Sequence, residues 1–206
     1  MKHTPMIVEP VTLPGQHVRL EPLTMDQLDA LWEVGQDPAL WQWTPYHIKT
    51  RDEMHTYIQT ALNWQEIGTA LPFVTIAQGT DRVVGSTRFG NIDVRNRRVE
   101  IGWTWIGKPW QRTPVNTEAK FLMLQHAFET WGCIRVELKT DVLNERSRAA
   151  ILRLGAKQEG ILRHHMITDS GRLRNTMYFS IINDEWPEVK ARLQTLLVKP
   201  WNHPNE

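Results

Sequence analysis

Glu100-Ile-Gly-Trp-Thr-Trp-Ile-Gly-Lys-Pro-Trp-Gln-Arg-Thr-Pro-Val-Asn-Thr-Glu-Ala-Lys120 is the stretch on which the fold and the function turn. A strand-like run, Val99–Ile106, passes into a loop with Gly107, Pro109 and Pro114. A helix is predicted to start near Asn116 or Thr117. Unpaired N–H groups at a helix start attract anions and can cradle a pyrophosphate. Lys108 and Arg112 add charge there, and Thr113 and Thr117 add hydroxyl donors. The same residues also fit an ordinary loop whose Asn116 only caps the helix.

Outward from this stretch the periodicity alternates between strand and helix. His17–Leu23 alternates apolar and polar and reads as a strand. Thr24-x-x-Gln27 and Thr50-x-x-Glu53 are capping boxes that open two helices. The first carries Leu28, Leu31 and Trp32; the second carries Met54, Tyr57, Ile58, Ala61 and Leu62 on one face. Phe73–Gln78, Arg82–Phe89 and Val99–Ile106 form a predicted antiparallel meander. The helix after the loop places Phe121, Leu124, Phe128 and Trp131 at helical spacing. Arg135–Thr140 is a strand, and Asn144–Leu154 is a helix closed by Gly155. Ala156–Met166 and Arg172–Ile182 are two strands joined by a turn, and a last helix runs to Leu197. The order βααβββαβαββα is mixed α/β (α+β), not the alternation of a doubly wound sheet.

The 206 residues fit one domain, with a core over about 13–197 and loose ends at 1–12 and 199–206. No apolar run approaches the roughly 18–20 residues of a membrane span, and no secretory h-region opens the chain. The one cysteine, Cys133, excludes an internal disulfide and fits the reducing cytoplasm. With 24 basic and 23 acidic side chains, net charge gives no case for nucleic acid. A small patch of Arg88, Arg95, Arg97 and Arg98 would have to carry one. There is no Cys/His cluster with zinc spacing, so no metal is expected. Ten tryptophans are far above the usual share; they suit core packing, an aromatic-lined site or a homodimer surface.

These residues together resemble the GNAT superfamily of N-acetyltransferases, in particular the branch of the ribosomal-protein N-terminal acetyltransferases. That family's acetyl-CoA loop reads Gln/Arg-x-x-Gly-x-Gly/Ala, often followed by Thr-Glu-Ala. Here it is Gln111-x-x-Pro114-x-Asn116, then Thr117-Glu118-Ala119, with both glycines replaced. Leu13-x-Gly15-x-x-Val18-Arg19-Leu20 resembles the opening hairpin, and Val84-Gly85-x-x-Arg88-Phe89 and Glu100-Ile-Gly-Trp103 resemble two central strands. Asp141-x-x-Asn144-x-x-Ser147, then Leu154-Gly155-Ala156 and Glu159-Gly160, resemble the later strand–helix–strand unit. Arg174-Asn175 stands where the family usually shows Arg-Asp. The likeness covers about residues 13–183.

The resemblance implies a GNAT fold whose fourth and fifth strands, here 99–106 and 135–140, splay apart. It implies acetyl transfer from acetyl-CoA to a primary amine, either a protein N-terminus or a small amine, by direct attack in a ternary complex. The pantetheine would lie along Ile101, Trp103, Thr104 and Trp105. Gln111, Arg112, Thr113, Val115, Asn116, Thr117, Asn144 and Ser147 would complete the cofactor contacts. Glu100 is the candidate base, and Ser147 and Tyr178 are candidate acids. Trp41, Trp43, Tyr46, Arg88 and His164 are candidates for the acceptor pocket. Neighbouring His164 and His165 point to opposite faces of a regular strand, so only one can face the amine. Met166 stands where the ribosomal-protein enzymes place a glutamate. The rival readings are a CoA-binding module without catalysis and an unrelated binding protein with an aromatic pocket.

Overall fold

A computed structural model of the protein describes residues 5–198. In chain order its elements are β1 (Leu13–Pro14), β2 (Val18–Pro22), α1 (Leu28–Gly35), α2 (Arg51–Glu66), β3 (Leu71–Ala77), β4 (Arg82–Asp93) and β5 (Arg98–Ile106). Then follow α3 (Pro114–Gln125), β6 (Arg135–Asp141), α4 (Glu145–Leu154), β7 (Lys157–Ile167), β8 (Leu173–Ile182) and α5 (Trp186–Leu197). The predicted order is present with one addition, the two-residue β1 paired to β2. Both capping boxes form: the Gln27 side chain accepts from Thr24 N–H, and Glu53 accepts from Thr50 N–H. Gly155 ends α4 at φ +107°, a left-handed position that glycine takes without strain.

One eight-stranded sheet runs in the order β1-β2-β3-β4-β5-β6-β8-β7. All its pairs are antiparallel except β5–β6. That parallel contact is three pairs long, Arg98–Arg135, Val99–Val136 and Glu100–Glu137. Beyond Glu100 the two strands part, which is the expected splay.

Strand alternation sorts the two faces of the sheet. Val99, Ile101, Val136, Leu138, Phe179 and Ile181 pack with α3, α4 and α5 in the larger apolar layer. Val74, Ile76 and Trp105 pack with α1 and α2 in a smaller one. On this second face β5, β6 and β8 carry polar side chains, among them Glu100, Lys139 and Tyr178.

Three expectations are corrected. The helix after the loop starts at Pro114, not at Asn116 or Thr117, because Thr113 is its cap and accepts from Val115 N–H at 3.3 Å. Proline suits the first helical position, since its missing N–H is unused there. The same helix is not α-helical to its end: His126–Thr130 is a π-turn, which carries Phe128 and Trp131 into the core. The expected loose end is anchored over 6–11, because Met6 is buried and Val8 and Val11 pack on the core. Residues 1–4 and 199–206 of the expected loose ends, with Trp201, lie outside the described residues.

Candidate functional site

The splay opens a cavity of about 1020 Å³ that runs through the sheet. On one side lie the starts of α3 and α4; on the other lies the loop between α1 and α2. Ile101, Trp103, Thr104, Trp105, Gln111, Arg112, Thr113, Asn116, Asn144 and Ser147 line it, as do Glu100, Trp43 and Tyr46. Each was expected at a site, and one cleft brings them together.

Glu100 stands at the fork. It is 2% exposed, and its Oε2 receives Lys139 Nζ at 2.9 Å and Asn91 Nδ2 at 2.7 Å. Its Oε1 lies over Gly102, where a Cβ would come within 2.7 Å. The carboxylate is therefore fixed at one oxygen, and the residue lines the cavity. Just past it β5 bulges: Ser86 pairs with Trp105, but Arg88 pairs with Gly102. Trp103 takes the left-handed φ of +50°, an outlier for so bulky a residue. Its ring crosses β4 above Gly90, where a Cβ would come within 2.2 Å of the indole. Gly90→Ala should therefore displace Trp103, read as a change in tryptophan fluorescence and near-ultraviolet dichroism.

The face of the sheet towards the loop between α1 and α2 holds several cations. Arg88, 1% exposed, sits against the rings of Tyr57, Trp64 and Trp103 at 4.9, 5.4 and 5.2 Å. Lys139 also lies over Trp103, at 5.6 Å. Asp141 receives Arg172 at 2.5 Å, with Arg174 farther off at 3.8 Å. Burial pushes the Arg174 guanidinium below its ordinary value, with Asp141 opposing. The loop bearing Trp43 and Tyr46 is strapped to the β7–β8 turn: His47 Nδ1 meets Asp169 at 2.8 Å, and Asp169 N–H donates to Pro45 at 3.0 Å. Burial raises the Tyr46 phenol well above its ordinary value.

The opposite end is basic. Arg112, at φ +62°, Arg146 and Arg153 line it, and Arg146 holds the Gln111 side chain at 2.6 Å. Asn144 caps α4 by accepting from Ser147 N–H at 3.0 Å. By helix geometry Thr113 and Asn116 carry the open N–H donors of the α3 start.

The comparisons with known proteins agree on this architecture. The model of the acetyltransferase (GNAT) domain matches residues 17–157. This chain belongs to the GNAT acetyltransferases. A GCN5-related N-acetyltransferase from Brucella melitensis is 32% identical with a TM-score of 0.87, over 96% of this chain and 90% of that one. YdaF of Bacillus subtilis, named among the ribosomal N-acetyltransferases, is 33% identical over 106 residues, 52% of this chain and 57% of its own length. The chain thus spans just over half of that relative. RimJ of Mycobacterium smegmatis, solved with CoA-disulfide, is 24% identical with a TM-score of 0.76, over 90% of this chain and 91% of that one, and shares the fold.

Within this GNAT chain several expected positions fall elsewhere. Val115 does not line the cavity but packs in the core. Thr117 is fully buried, its hydroxyl taken by Arg153 at 2.8 Å. Trp41 is core, held through Nε1 to the Gly35 carbonyl at 2.8 Å. Arg88 lies beneath Trp103 instead of lining the wall. His164 is exposed at φ +49° on a bulge of β7 and borders a separate shallow hollow. His165 is the histidine that turns inward, with its ring 5.7 Å from Tyr178. Burial and then Lys139 lower the His165 pKa. Tyr178 lies outside the cavity lining, and burial raises its phenol.

Lys120, Lys139, Arg153 and Arg174 line the cavity and were not foreseen. Lys120 follows Asn116 by one helical turn, a spacing that puts both on one face; Lys139 stands two residues after Glu137, on the same face of β6. Lys120 is buried, with Nζ 2.5 Å from Thr104 Oγ1 and 3.1 Å from Thr87 Oγ1. Burial pushes its pKa down to about 7. Between pH 7 and about 10.5 the unfolded chain holds a proton that the folded chain releases, so stability rises with pH through that window. Below pH 7 the whole cost of the buried ammonium is present. Lys120→Met should therefore stabilise the fold, by on the order of 3 kcal/mol at pH 6, and raise the unfolding midpoint accordingly, with the gain fading towards pH 10. The two threonine hydroxyls, 2.8 Å apart, keep each other as partners. Midpoints measured from pH 6 to 10 check this; a gain that does not depend on pH overturns it.

Among the described residues no group of three or more His, Cys, Asp or Glu could hold a metal. No helix among them is long and apolar enough to cross a membrane.

Proposed function

We propose that this acetyltransferase moves an acetyl group from acetyl-CoA to an amine by direct attack in a ternary complex. The observation that carries the reading is the fork at Glu100, where the sheet opens beside a fixed buried carboxylate. The residues fit the cosubstrate. Ile101–Trp105 offer an unpaired strand edge for the pantetheine amides. Arg112, Arg146 and the α3 start offer cations and N–H donors for phosphate oxygens. The CoA-disulfide bound by the RimJ relative is in accord with this.

In this scheme the amine nitrogen bonds to the acetyl carbon and the C–S bond breaks. Glu100 takes the amine proton, directly or through one water. A backbone N–H at the Trp103 bulge stabilises charge on the carbonyl oxygen. Ser147, which lines the cavity, returns a proton to the thiolate; Tyr178, outside the lining, is the weaker candidate. Trp43, Tyr46 and Trp103 shape the acceptor side, and much of the acceleration comes from positioning. The acceptor is a protein N-terminus or a small amine.

The test is a thermal shift with acetyl-CoA, CoA and ATP, followed by thiol release with an amine panel. At about 100 times its dissociation constant a native-state ligand adds about 2.7 kcal/mol. For a chain of this size that is roughly 5–10 °C. Shifts with both CoA species but not ATP, followed by turnover, are expected. A shift without turnover points to an inert CoA-binding module; no shift removes the CoA reading and favours the aromatic-pocket binding protein.

A further inference from the structure

The acceptor side has more positive charge than its own carboxylates can match. Glu100 is taken by Lys139 at 2.9 Å. Asp141 is taken by Arg172 at 2.5 Å, leaving Arg174 Nε at 3.8 Å, beyond hydrogen-bond range. Glu137 is held by Arg135 at 2.9 Å and Arg98 at 3.6 Å, and Asp169 by His47 at 2.8 Å. Arg88 remains, and Arg174 has only a share of Asp141. Arg174 is 6% exposed, lines the cavity, and its Nε has no hydrogen-bond partner. Arg88 is 1% exposed, and its Nε and Nη2 also have none. The phenol of Tyr46, itself on the cavity wall, feels the charge of both.

A buried guanidinium that only shares a carboxylate with a second arginine is incompletely compensated, and a group that brings a further negative charge is bound strongly. Three aromatic rings account in part for Arg88 through cation–π contact. No ring contact of that kind exists for Arg174 among the described residues. A polyamine would add charge of the wrong sign beside both.

We infer that the amine acceptor carries a carboxylate near its amino group, and that Arg174 binds this carboxylate while Arg88, behind Tyr46, adds to the attracting field. The inference rests on the acetyl-transfer reading for the word acceptor, but the anion site can be tested without turnover. A planar carboxylate matches the forked guanidinium. The carboxylate can belong to a free α-amino acid or to an acidic side chain beside a peptide N-terminus.

Two arms separate these sources and keep the inference distinct from the transfer reading. In the first, thiol release from acetyl-CoA is measured with α-amino acids against their carboxamides. It is also measured with amidated tripeptides whose second residue is Asp or Asn. The carboxylate member of one pair should win by about 10–100-fold in kcat/KM, the discrimination expected of a charge-assisted hydrogen bond. Preference within the amino-acid pairs assigns the free acid; preference within the tripeptide pairs assigns the side chain. Arg174→Gln should bring the ratio near one, and Arg174→Lys should retain part of it. In the second arm, quenching of tryptophan fluorescence is titrated with N-acetylglycine, N-acetylmethionine, N-acetylglutamate and their carboxamides. The acids should bind more tightly than the amides, and Arg174→Gln should abolish the difference even where Arg174→Lys folds better. Turnover with equal use of acids and amides overturns the inference and leaves acetyl transfer standing. Preferential binding of the acids without turnover of any amine leaves the anion site standing and overturns transfer. Equal binding of acids and amides without turnover overturns both.

Discussion

Glu118→Ala should lower the unfolding midpoint by about 10 °C. The buried Glu118 carboxylate on α3 accepts three backbone N–H groups across about a hundred residues of chain. These are Gln16 at 2.9 Å, His17 at 2.6 Å and Val18 at 2.8 Å. They are the donors of the β1–β2 turn, and nothing else on α3 could replace the acceptor. Gly15 is needed beneath it, since a Cβ there would stand 2.6 Å from the carboxylate. A hydrogen bond to a charged group contributes about 1.5–3 kcal/mol, and each orphaned buried donor costs about 1–3 kcal/mol. Water can reach the exposed Gln16 end, so a net loss of about 3–5 kcal/mol is expected, at roughly 2–4 °C per kcal/mol. Glu118→Gln should cost less, because one oxygen survives while the new NH₂ faces an N–H. Calorimetry of the two variants decides; a shift under about 2 °C for the alanine would show that the clamp is not holding the turn.

Glu100→Gln should reduce kcat by about a hundredfold or more, the range of a lost general base. The amide keeps the Asn91 contact but takes no proton, and the partly buried Lys139 loses its counter-charge. In the proposed scheme Glu100 acts on the amine and not on the nucleotide end, so KM for acetyl-CoA should change by only a few-fold. Gly102→Ala is the independent check: its Cβ would collide with Glu100 Oε1 and should lower kcat without removing the carboxylate. A kcat within threefold of the parent for Glu100→Gln would end the base assignment. The midpoint of each variant, recorded alongside, separates lost chemistry from lost fold.

The fold was legible because local signals and global topology agreed. Capping boxes, the alternation of β3 to β5 and Gly155 at the end of α4 each marked an element that exists. The helix start was misplaced because Pro114 looked like a break, whereas at the first helical position it is a good beginning. The π-turn at His126–Thr130 keeps the same apolar residues inward, so the helical period gave no sign of it. Around the cavity, Glu100, Ser147 and Asn144 were legible through the family resemblance as lining positions. Lys139, Lys120 and Arg174 could not, because what sets them apart is burial and partners brought from distant strands. Thr117 and Glu118 sit in a recognisable motif, yet their side chains turn to Arg153 and to the β1–β2 turn. His164 was misassigned because β7 is bulged between Leu162 and Met166, where simple alternation no longer tells which ring turns inward.

The parting of β5 from β6 has a mechanical consequence. Past three shared rungs the sheet is two rafts, one of β1 to β5 and one of β6 to β8, lashed together by the apolar layer beneath α3 and α5. A rod-shaped ligand laid along Ile101–Ile106 would act as the missing plank between them. Filling the gap and stabilising the molecule would then be one equilibrium: the ligand's grip on the native state adds to the cohesion of the whole sheet.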